Sequence, residues 1–307
     1  MSGYQAAAGT VQLLGGVALA PLWPGLVQHW KARLQGRMGP DPLQPYRELH
    51  RLWHKSTVTI EGATAVYRCA PSVAAASILA AVLVVPAASA APGWGIGHDA
   101  FVLAGLLALA RFAMAAAAWD VGNGFSLMGA SRELTISVFV ESTLVLALGV
   151  ATLLAGSTDL VAVVARTAGG AAWTGPALAL AAAAFALVVI AETGRQPFDN
   201  PDTHLELTMI HEGPLLEYAG RDQAYLQWAA AARHWLVLVI AAQVFLPHLR
   251  GVPGQLLALP VVVVVLCGLL ALLETCVAKM RVLVVPRVVG LGSALALLGS
   301  ASWLATR

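Results

Sequence analysis

Charged residues are scarce in this 307-residue chain. Asp, Glu, Lys and Arg together make up 11% of it, whereas a soluble domain carries roughly 25%. A soluble protein of this size needs far more charge to cover its surface. This scarcity excludes a soluble enzyme, a disordered protein and a nucleic-acid binder, so no nucleic acid is expected as a partner. Hydrophobic residues reach 59% and the mean hydropathy is +0.76, which indicates a polytopic helical membrane protein.

Cysteine is equally scarce. Cys69, Cys267 and Cys276 are the only three, and no pair has Cys-x-x-Cys spacing. This argues against an iron–sulfur or zinc site carried by the chain alone, so we expect no metal site and no cofactor bound here. Lys and Arg are also absent before Lys31. A cleaved secretory signal begins with basic residues, and the first apolar run is therefore interpreted as a retained span.

Long apolar runs dominate the rest of the sequence, and a run of about 20 residues crosses a bilayer as a helix. Such runs lie near 7–29, 69–91, 99–118, 134–156, 172–191, 224–247, 255–278 and 283–304. The sequence therefore predicts an all-α polytopic membrane protein with about eight transmembrane helices. We expect residues 1–307 to form a single integral membrane domain with both termini on the same side.

The basic residues sort between the two sides of this topology. The first, third, fifth and seventh loops hold Lys31, Arg33, Arg37, Arg47, Arg51, Lys55, Arg132, Arg195, Arg221, Lys279 and Arg281. The opposite side holds only Arg166, Arg250 and Arg307. Because cytoplasmic loops are enriched in Lys and Arg, the termini are predicted to lie outside. The long loops 31–57 and 192–223 then face the cytoplasm, and the predicted location is the inner (plasma) membrane.

The first long loop is basic and partly amphipathic. Residues 31–57 contain six bases and two acids, and Leu49, Leu52 and Trp53 fall on one side of a helix predicted over 44–55. Two interpretations remain open. The segment is either an interfacial helix anchored in lipid by Trp53 and the bases, or a docking surface for a soluble partner.

The second long loop is acidic, unlike the rest of the chain. Two bases, Arg195 and Arg221, accompany its acids. The acids of 192–222 are Glu192, Asp199, Asp202, Glu206, Glu212, Glu217 and Asp222. His204 and His211 also lie here. A zinc site needs three or four ligands, and no third is evident, so a histidine that titrates near a proton entry is the favoured interpretation.

Ionisable residues also fall inside the predicted spans. They are Arg111, Glu141, Glu192, Glu274 and Arg287. A charge at the bilayer centre costs roughly 2.5–3.5 kcal/mol on insertion scales, so it is paired or faces a wet cavity. One interpretation is structural pairing, of Arg111 with Glu141 and of Glu274 with Lys279 or Arg287. The other is a proton relay, since Glu133, Glu141 and Glu192 cluster toward the cytoplasmic half. His234 is interpreted as an interfacial residue.

Several separated motifs resemble a known family. The segments ETGRQPFD at 192–199 and LEYAG at 216–220, with QGRMGP at 35–40 and LQP at 43–45, resemble the membrane subunit of respiratory complex I that lies beside the quinone tunnel. Within that family, NPDTHLELTMIHE at 200–212 and SREL at 131–134 are similar to membrane-bound [NiFe] hydrogenases of the formate hydrogenlyase subunit 4 and hydrogenase-4 component C type.

The resemblance implies a non-catalytic subunit of an oxidoreductase complex. This subunit would dock a soluble redox arm and link electron transfer to proton or cation translocation. The implied partners are hydrogenase-like large and small subunits and an iron–sulfur protein on the cytoplasmic side, antiporter-like membrane subunits, and lipid. The [NiFe] and iron–sulfur centres would belong to those partners. One alternative is the quinone-site subunit of a complex I-like NADH:quinone oxidoreductase, in which quinone binds. A second is a stand-alone ion transporter.

The resemblance and the charge pattern together nominate two sets of site residues. The predicted proton pathway comprises Arg111, Glu133, Glu141, Glu192, Asp199, Glu206, Glu217 and Glu274. The predicted partner-docking residues are Arg37, Gly39, Pro40, Gln44, Pro45, Arg195, His204, His211, Glu212 and Tyr218. No catalytic residue is predicted.

Overall fold

The chain folds into helices. A computed structural model describes residues 9–10, 13–86, 97–168, 170–199, 210–247 and 251–306, and within these ranges there is no strand, only an isolated β-bridge between Asp99 and Asp159. The helices are α1 (Leu22–Leu34), α2 (Gln44–Trp53), α3 (Ala65–Val84), α4 (Ala100–Val121), α5 (Gly124–Ala155), α6 (Leu160–Thr167), α7 (Pro176–Glu192), α8 (Gly220–Val244), α9 (Val252–Cys276) and α10 (Val285–Ala305). A π-helical turn spans Leu14–Ala18, and 3-10 turns span Gly170–Trp173 and Gly213–Leu215. The all-α prediction is confirmed.

Among the described residues, five helices are long and apolar enough to cross a membrane, namely α3, α4, α5, α9 and α10. They coincide with the second, third, fourth, seventh and eighth predicted spans. The fifth predicted span corresponds to α7, which has 17 residues, and the sixth to α8, which is polar in its first half. The first predicted span is interrupted, because the π-helical turn ends at Ala18 and α1 begins only at Leu22. The number of spans stays a prediction.

Helix α5 is longer than its predicted span. It begins at Gly124 rather than at 134, and the side chain of Asn123 caps it by accepting a hydrogen bond from the amide of Phe125 at 3.2 Å. Hydropathy detects only the apolar part of a helix, so the polar first turns were assigned to a loop. Glu133 and Glu141 consequently lie on one helix, about 12 Å apart along its axis.

Helix α8 lies at the centre of the bundle. It contacts α2, α3, α7 and α9, and its second half is buried on all sides, with Leu236, Val237 and Leu238 inaccessible to solvent. A helix that is hydrophobic all round belongs in the interior. Helices α9 and α10 instead expose large apolar side chains, such as Leu257 at 78%. In a membrane protein such a surface faces lipid.

Two close backbone approaches bring the long loops onto the bundle. The 3-10 turn at Gly213 crosses α5 at Gly129, where an added Cβ would lie 2.7 Å from the Cα of Gly213. Gly220, in the left-handed region at φ +59°, begins α8 directly against the backbone carbonyl of Ser56. The end of the acidic loop is therefore seated both on α5 and on the end of the first loop.

Candidate functional site

A buried charge cluster joins three helices. Arg111 on α4 donates a hydrogen bond to Glu141 on α5 at 3.0 Å and another to Glu192 at the end of α7. The Glu192 side chain is fully buried, that of Arg111 is 6% exposed, and that of Glu141 is 30% exposed. Because an isolated charge is costly at this depth, the shared arginine stabilises both carboxylates. The pairing of Arg111 with Glu141 was one of the two interpretations of the sequence, and the structure adds Glu192 to it.

A second buried cluster surrounds Glu274 on α9. The ammonium of Lys31 on α1 lies 3.7 Å from its carboxylate, and Arg195, which follows α7, donates to it at 3.3 Å. All three side chains are at least nine-tenths buried. The sequence suggested Lys279 or Arg287 as partners because they lie nearby in the chain. The partners that the structure brings to Glu274 come instead from distant segments.

Asp199 anchors the end of the acidic loop. Its Oδ2 accepts the backbone amide of His211 at 3.2 Å and lies 3.1 Å from the imidazole Nδ1, while Lys279 donates to Oδ1 at 3.2 Å. Burial by itself disfavours the imidazolium. The hydrogen bond with Asp199 and the negative charge of Glu133 outweigh it and raise the pKa of His211 above its usual value. The loop is thus tied to the segment that follows α9.

A cavity of about 630 Å³ connects these features with the first loop. This volume is in the range of small-molecule sites, roughly 300–1,000 Å³. Residues of α1, α2 and the polar first half of α8 line it, including Gln28, Gln44, Pro45, Glu48 and Gln227. The ionisable residues Glu133, Glu192, Arg195, Asp199, His211, Arg233 and His234 line it as well. The two loops, singled out separately in the sequence, therefore face one space.

The predicted proton-pathway residues occupy different positions around this cavity. Glu133, Glu192 and Asp199 line it. Arg111 and Glu141 are joined to it through Glu192, and Glu274 through Arg195. Glu217 accepts a hydrogen bond from Asn123, and its carbonyl accepts one from the hydroxyl of Tyr67 at 2.7 Å. Glu206 lies outside the described residues.

The predicted docking residues divide into two groups. Gln44, Pro45, Arg195, His211, Glu212 and Tyr218 line the cavity. The other group lies at the start of the first loop, where Arg37 and Pro40 are exposed and Gly39 packs against α1. An added Cβ at Gly39 would lie 2.6 Å from the Cβ of Ala32, so glycine allows the loop to fold back on that helix. His204 lies outside the described residues.

Two residues near the site were misjudged from the sequence. Lys31 was counted as a cytoplasmic loop charge, and it is 5% exposed beside Glu274. His234 was interpreted as interfacial, and this is wrong, because it is 3% exposed and lines the cavity. Arg233, its neighbour on α8, also lines the cavity. For Arg233 and His234, a position within the sixth predicted span was the signal that could have marked them as candidates for the site.

Many of the side chains that line the cavity are ionisable. Over the part of the chain that the structure describes, no three His, Cys, Asp or Glu side chains are grouped so as to hold a metal ion. The ionisable groups that line the cavity are carboxylates, guanidinium groups, imidazoles and the phenol of Tyr218. Such groups can accept, release and orient protons.

Comparison with known proteins matches these features to a family. The family model described as NADH dehydrogenase matches residues 8–299. The chain is 34% identical to hydrogenase-4 component C of Escherichia coli over 296 residues, which are 93% of this chain and 92% of that protein. It is 34% identical to formate hydrogenlyase subunit 4 of Escherichia coli over 305 residues, 96% of this chain and 97% of that one. It is 31% identical to a subunit of an NADH-quinone oxidoreductase of Cereibacter sphaeroides over 74% of this chain and 72% of that protein.

The fold is shared with a solved respiratory complex. One chain of the membrane-bound sulfane sulfur reductase, an archaeal respiratory membrane complex, superposes with a TM-score of 0.82 at 19% identity, covering 96% of this chain and 98% of that one. Fold and sequence together define a membrane-embedded subunit of the respiratory-complex type. The chain belongs to the NADH dehydrogenase family of membrane subunits. It is similar to hydrogenase-4 component C and to formate hydrogenlyase subunit 4 over nearly the whole length of each.

Proposed function

We propose that the chain is the membrane anchor and coupling subunit of a multi-subunit [NiFe] hydrogenase complex of the hydrogenase-4 or formate hydrogenlyase type. In this role it docks a soluble redox arm and links electron transfer to proton or cation translocation. The observation that carries the proposal is the Arg111–Glu141–Glu192 cluster, which connects through Glu192 to a cavity facing both cytoplasmic loops. Similarity to two such subunits over more than nine-tenths of the chain supports it.

The cluster has the charge balance that a proton relay requires. One guanidinium serves two carboxylates, so the trio carries a formal charge of −1 when both Glu141 and Glu192 are ionised. Addition of one proton makes it neutral, and burial favours a neutral cluster. Arg111 keeps its own proton, because a guanidinium does not deprotonate in proteins. The trio can thus hold one proton at this depth, and it returns to a charge of −1 when that proton is passed on.

Helix α2 supports the docking role. Its apolar side is used inside this chain, since Leu52 is buried and Trp53 packs edge-on against Tyr225 of α8 with ring centroids 5.6 Å apart. Leu52 is therefore withdrawn from lipid, whereas Trp53 stays 46% exposed. Its opposite side exposes Arg47 and Arg51, whose surface ion pairs with Asp41 and Glu48 are each worth roughly 0–1 kcal/mol and are readily exchanged for an acidic partner.

The remaining parts of the proposal follow from the same resemblance. The soluble partners are hydrogenase-like large and small subunits and an iron–sulfur protein, and these partners hold the [NiFe] and iron–sulfur centres. Antiporter-like subunits adjoin the chain within the membrane. The excess of basic residues in the loops supports a location of both long loops on the cytoplasmic side of the inner membrane.

Substitution of the two glutamates that share Arg111 tests the coupling role. Glu141→Gln and Glu192→Gln each keep a hydrogen-bonding side chain of similar volume and remove the ionisable proton site. We expect the complex to assemble with either variant and to lose ion translocation in inverted membrane vesicles. The matched control is Glu61→Gln, at an exposed loop position. Unchanged translocation in both cluster variants would refute the coupling role.

Affinity purification tests the docking role. Purification of the tagged chain in mild detergent is expected to recover the redox arm, with nickel and iron–sulfur clusters measurable in the eluate. Recovery of the chain without any redox subunit would overturn this part of the proposal. Ion flux through the purified chain alone in liposomes would favour a stand-alone transporter instead.

The cavity favours one second candidate, a quinone-site subunit. Its volume of about 630 Å³ suits a quinone headgroup, and its walls combine Pro21, Pro24 and Leu226 with the polar His211 and Arg233. In that case, the complex should purify with bound quinone and show quinone-dependent turnover. Absence of both, with hydrogen-linked turnover intact, would exclude this candidate.

A further inference from the structure

Two buried polar atoms of opposite character lie unsatisfied in the same cavity. Nε of Arg233 and Oε2 of Glu192 each have no hydrogen-bond partner among the described residues, and both side chains line the cavity. Leaving either atom without a partner in the interior costs free energy. The Oε1 atom of Glu192 is held by Arg111. Glu192 therefore has one carboxylate oxygen available for a second cation, and Arg233 is a cation in the same space.

Three carboxylates lie near Arg233, and two of them belong to α5. Glu192, Glu133 and Glu141 all lie within electrostatic range of its guanidinium. Glu133 faces the cavity, whereas Glu141 is about two turns further along the same helix and is bound to Arg111. Arg233 thus lines the cavity together with Glu133 and with Glu192, the member of the trio that reaches the cavity. Arg111 has no such freedom, since it is bound on both sides.

We propose that Arg233 is a positioning residue that gates proton passage between Glu133 and the Arg111–Glu141–Glu192 trio by moving its guanidinium between Glu133 and Glu192. The inference rests on the proposed proton-relay function. When Glu133 takes up a proton it becomes neutral, and Arg233 moves to the open oxygen of Glu192. When the proton passes to the trio, Glu133 is again anionic and Arg233 returns to it. Arg233 remains protonated throughout.

Other charged groups face Arg233 from each neighbouring element. They are Arg111 on α4, Glu133 and Glu141 on α5, Glu192 on α7, His211 in the acidic loop, and the adjacent His234 on α8. Of these, Arg111 repels Arg233 and the three glutamates attract it. The guanidinium therefore has more than one carboxylate to bind, which distinguishes a movable gate from a fixed ion pair.

The experiment uses the whole complex reconstituted in liposomes and compares Arg233→Gln and Arg233→Lys with wild type. Protons moved per electron pair and the pH profile of coupled turnover are measured. For Arg233→Gln we expect translocation to fall roughly tenfold, the scale of one lost charge-assisted hydrogen bond, with electron transfer continuing. Arg233→Lys keeps the positive charge, so it should retain part of the translocation that Arg233→Gln loses, with a displaced pH profile. Arg287→Gln, at an exposed position on α10, is the control.

The outcomes separate this inference from the proposed function. Wild-type translocation in Arg233→Gln, combined with its loss in Glu192→Gln, overturns the gate and leaves the relay standing. Wild-type translocation in both variants overturns the relay itself. If Arg233→Gln does not assemble, Arg233→Lys decides, because an unchanged translocation ratio and pH profile in that variant would also overturn the gate.

Discussion

Tyr67 and Tyr218 stack with ring centroids 4.6 Å apart and a 10° angle between the rings, and each hydroxyl is bonded across the stack. Tyr218 donates to the carbonyl of Tyr67 at 3.0 Å, and Tyr67 donates to the carbonyl of Glu217 at 2.7 Å. Burial raises the pKa of Tyr218 well above its usual value, so its hydroxyl remains a donor at physiological pH. The pair joins α3 to the end of the acidic loop.

Tyr218→Phe tests this junction. The ring stack is retained and one hydrogen bond is lost, so the free energy of unfolding should fall by about 0.5–1.5 kcal/mol. Thermal unfolding of the purified protein in detergent measures the change. Tyr225→Phe is the control, because its ring packs on Trp53 and its hydroxyl makes no hydrogen bond within the described part of the chain. An equal effect of both substitutions would count against the junction.

Arg111→Gln tests the shared arginine. It leaves two carboxylates near each other without their cation, and loss of one partner from a buried pair costs about 3–5 kcal/mol. We expect a large loss of unfolding free energy in mixed detergent micelles. Combining it with Glu192→Gln removes one of the stranded charges, so part of the stability should return, as a double-mutant cycle can quantify. Arg287→Gln should change little. Strict additivity of the two substitutions would contradict direct pairing.

His211→Asn tests the pH dependence of the Asp199 anchor. Because the pKa of His211 is raised in the folded protein, the charged interaction stabilises fully below the unfolded pKa of about 6.5. That stabilisation is lost as the pH rises through the raised folded value. The difference in melting temperature between wild type and His211→Asn should therefore be largest at acidic pH and shrink toward alkaline pH. His54→Asn, at an exposed position, is the control. A difference that grows with pH would contradict the anchor.

Gly129→Ala tests the crossing of α5 and the acidic loop. The added methyl would meet the backbone of Gly213 at 2.7 Å, and backbone cannot move aside cheaply. Gly149→Ala, on the same helix, meets no atom within 4 Å. Since alanine is favoured over glycine in helices, the Gly149 variant should gain roughly 0.5–1 kcal/mol. Gly129→Ala should lose stability. A gain in both variants, measured by thermal unfolding, would show that the crossing does not constrain the loop.

The sequence predicted the features that depend on local patterns, such as residue spacing, a charge within an apolar span, or the length of an apolar run. The amphipathic pattern of Leu49 and Leu52 predicted α2, and the helix is found at Gln44–Trp53. An arginine and a glutamate in neighbouring spans suggested the pair of Arg111 and Glu141, because both need a partner in lipid. The length of apolar runs likewise identified the five helices of the described chain that are able to span a membrane.

Sequence reasoning failed where a contact depends on the packing of distant segments. Lys31 is the first residue of the predicted basic loop, so the sequence suggested an exposed position. The packing of α1 against α9 buries it beside Glu274. His234 follows an arginine near the start of an apolar run, which is typical of an interface, yet the position of α8 inside the bundle buries it. The convergence of both loops on one cavity required the crossing at Gly129, which has no signature in a single sequence.

The order of synthesis determines when the eight residues from Glu192 to Asp199 can form their ion pairs. Glu192, Arg195 and Asp199 bind Arg111, Glu274 and Lys279, which lie 81, 79 and 80 positions away. Arg111 is synthesised before Glu192 and can receive it at once. Glu274 and Lys279, which bind Arg195 and Asp199, are made about 80 residues later, on the order of ten seconds at ribosomal rates. These two ion pairs therefore close only after α9 and the residues up to Lys279 have been synthesised.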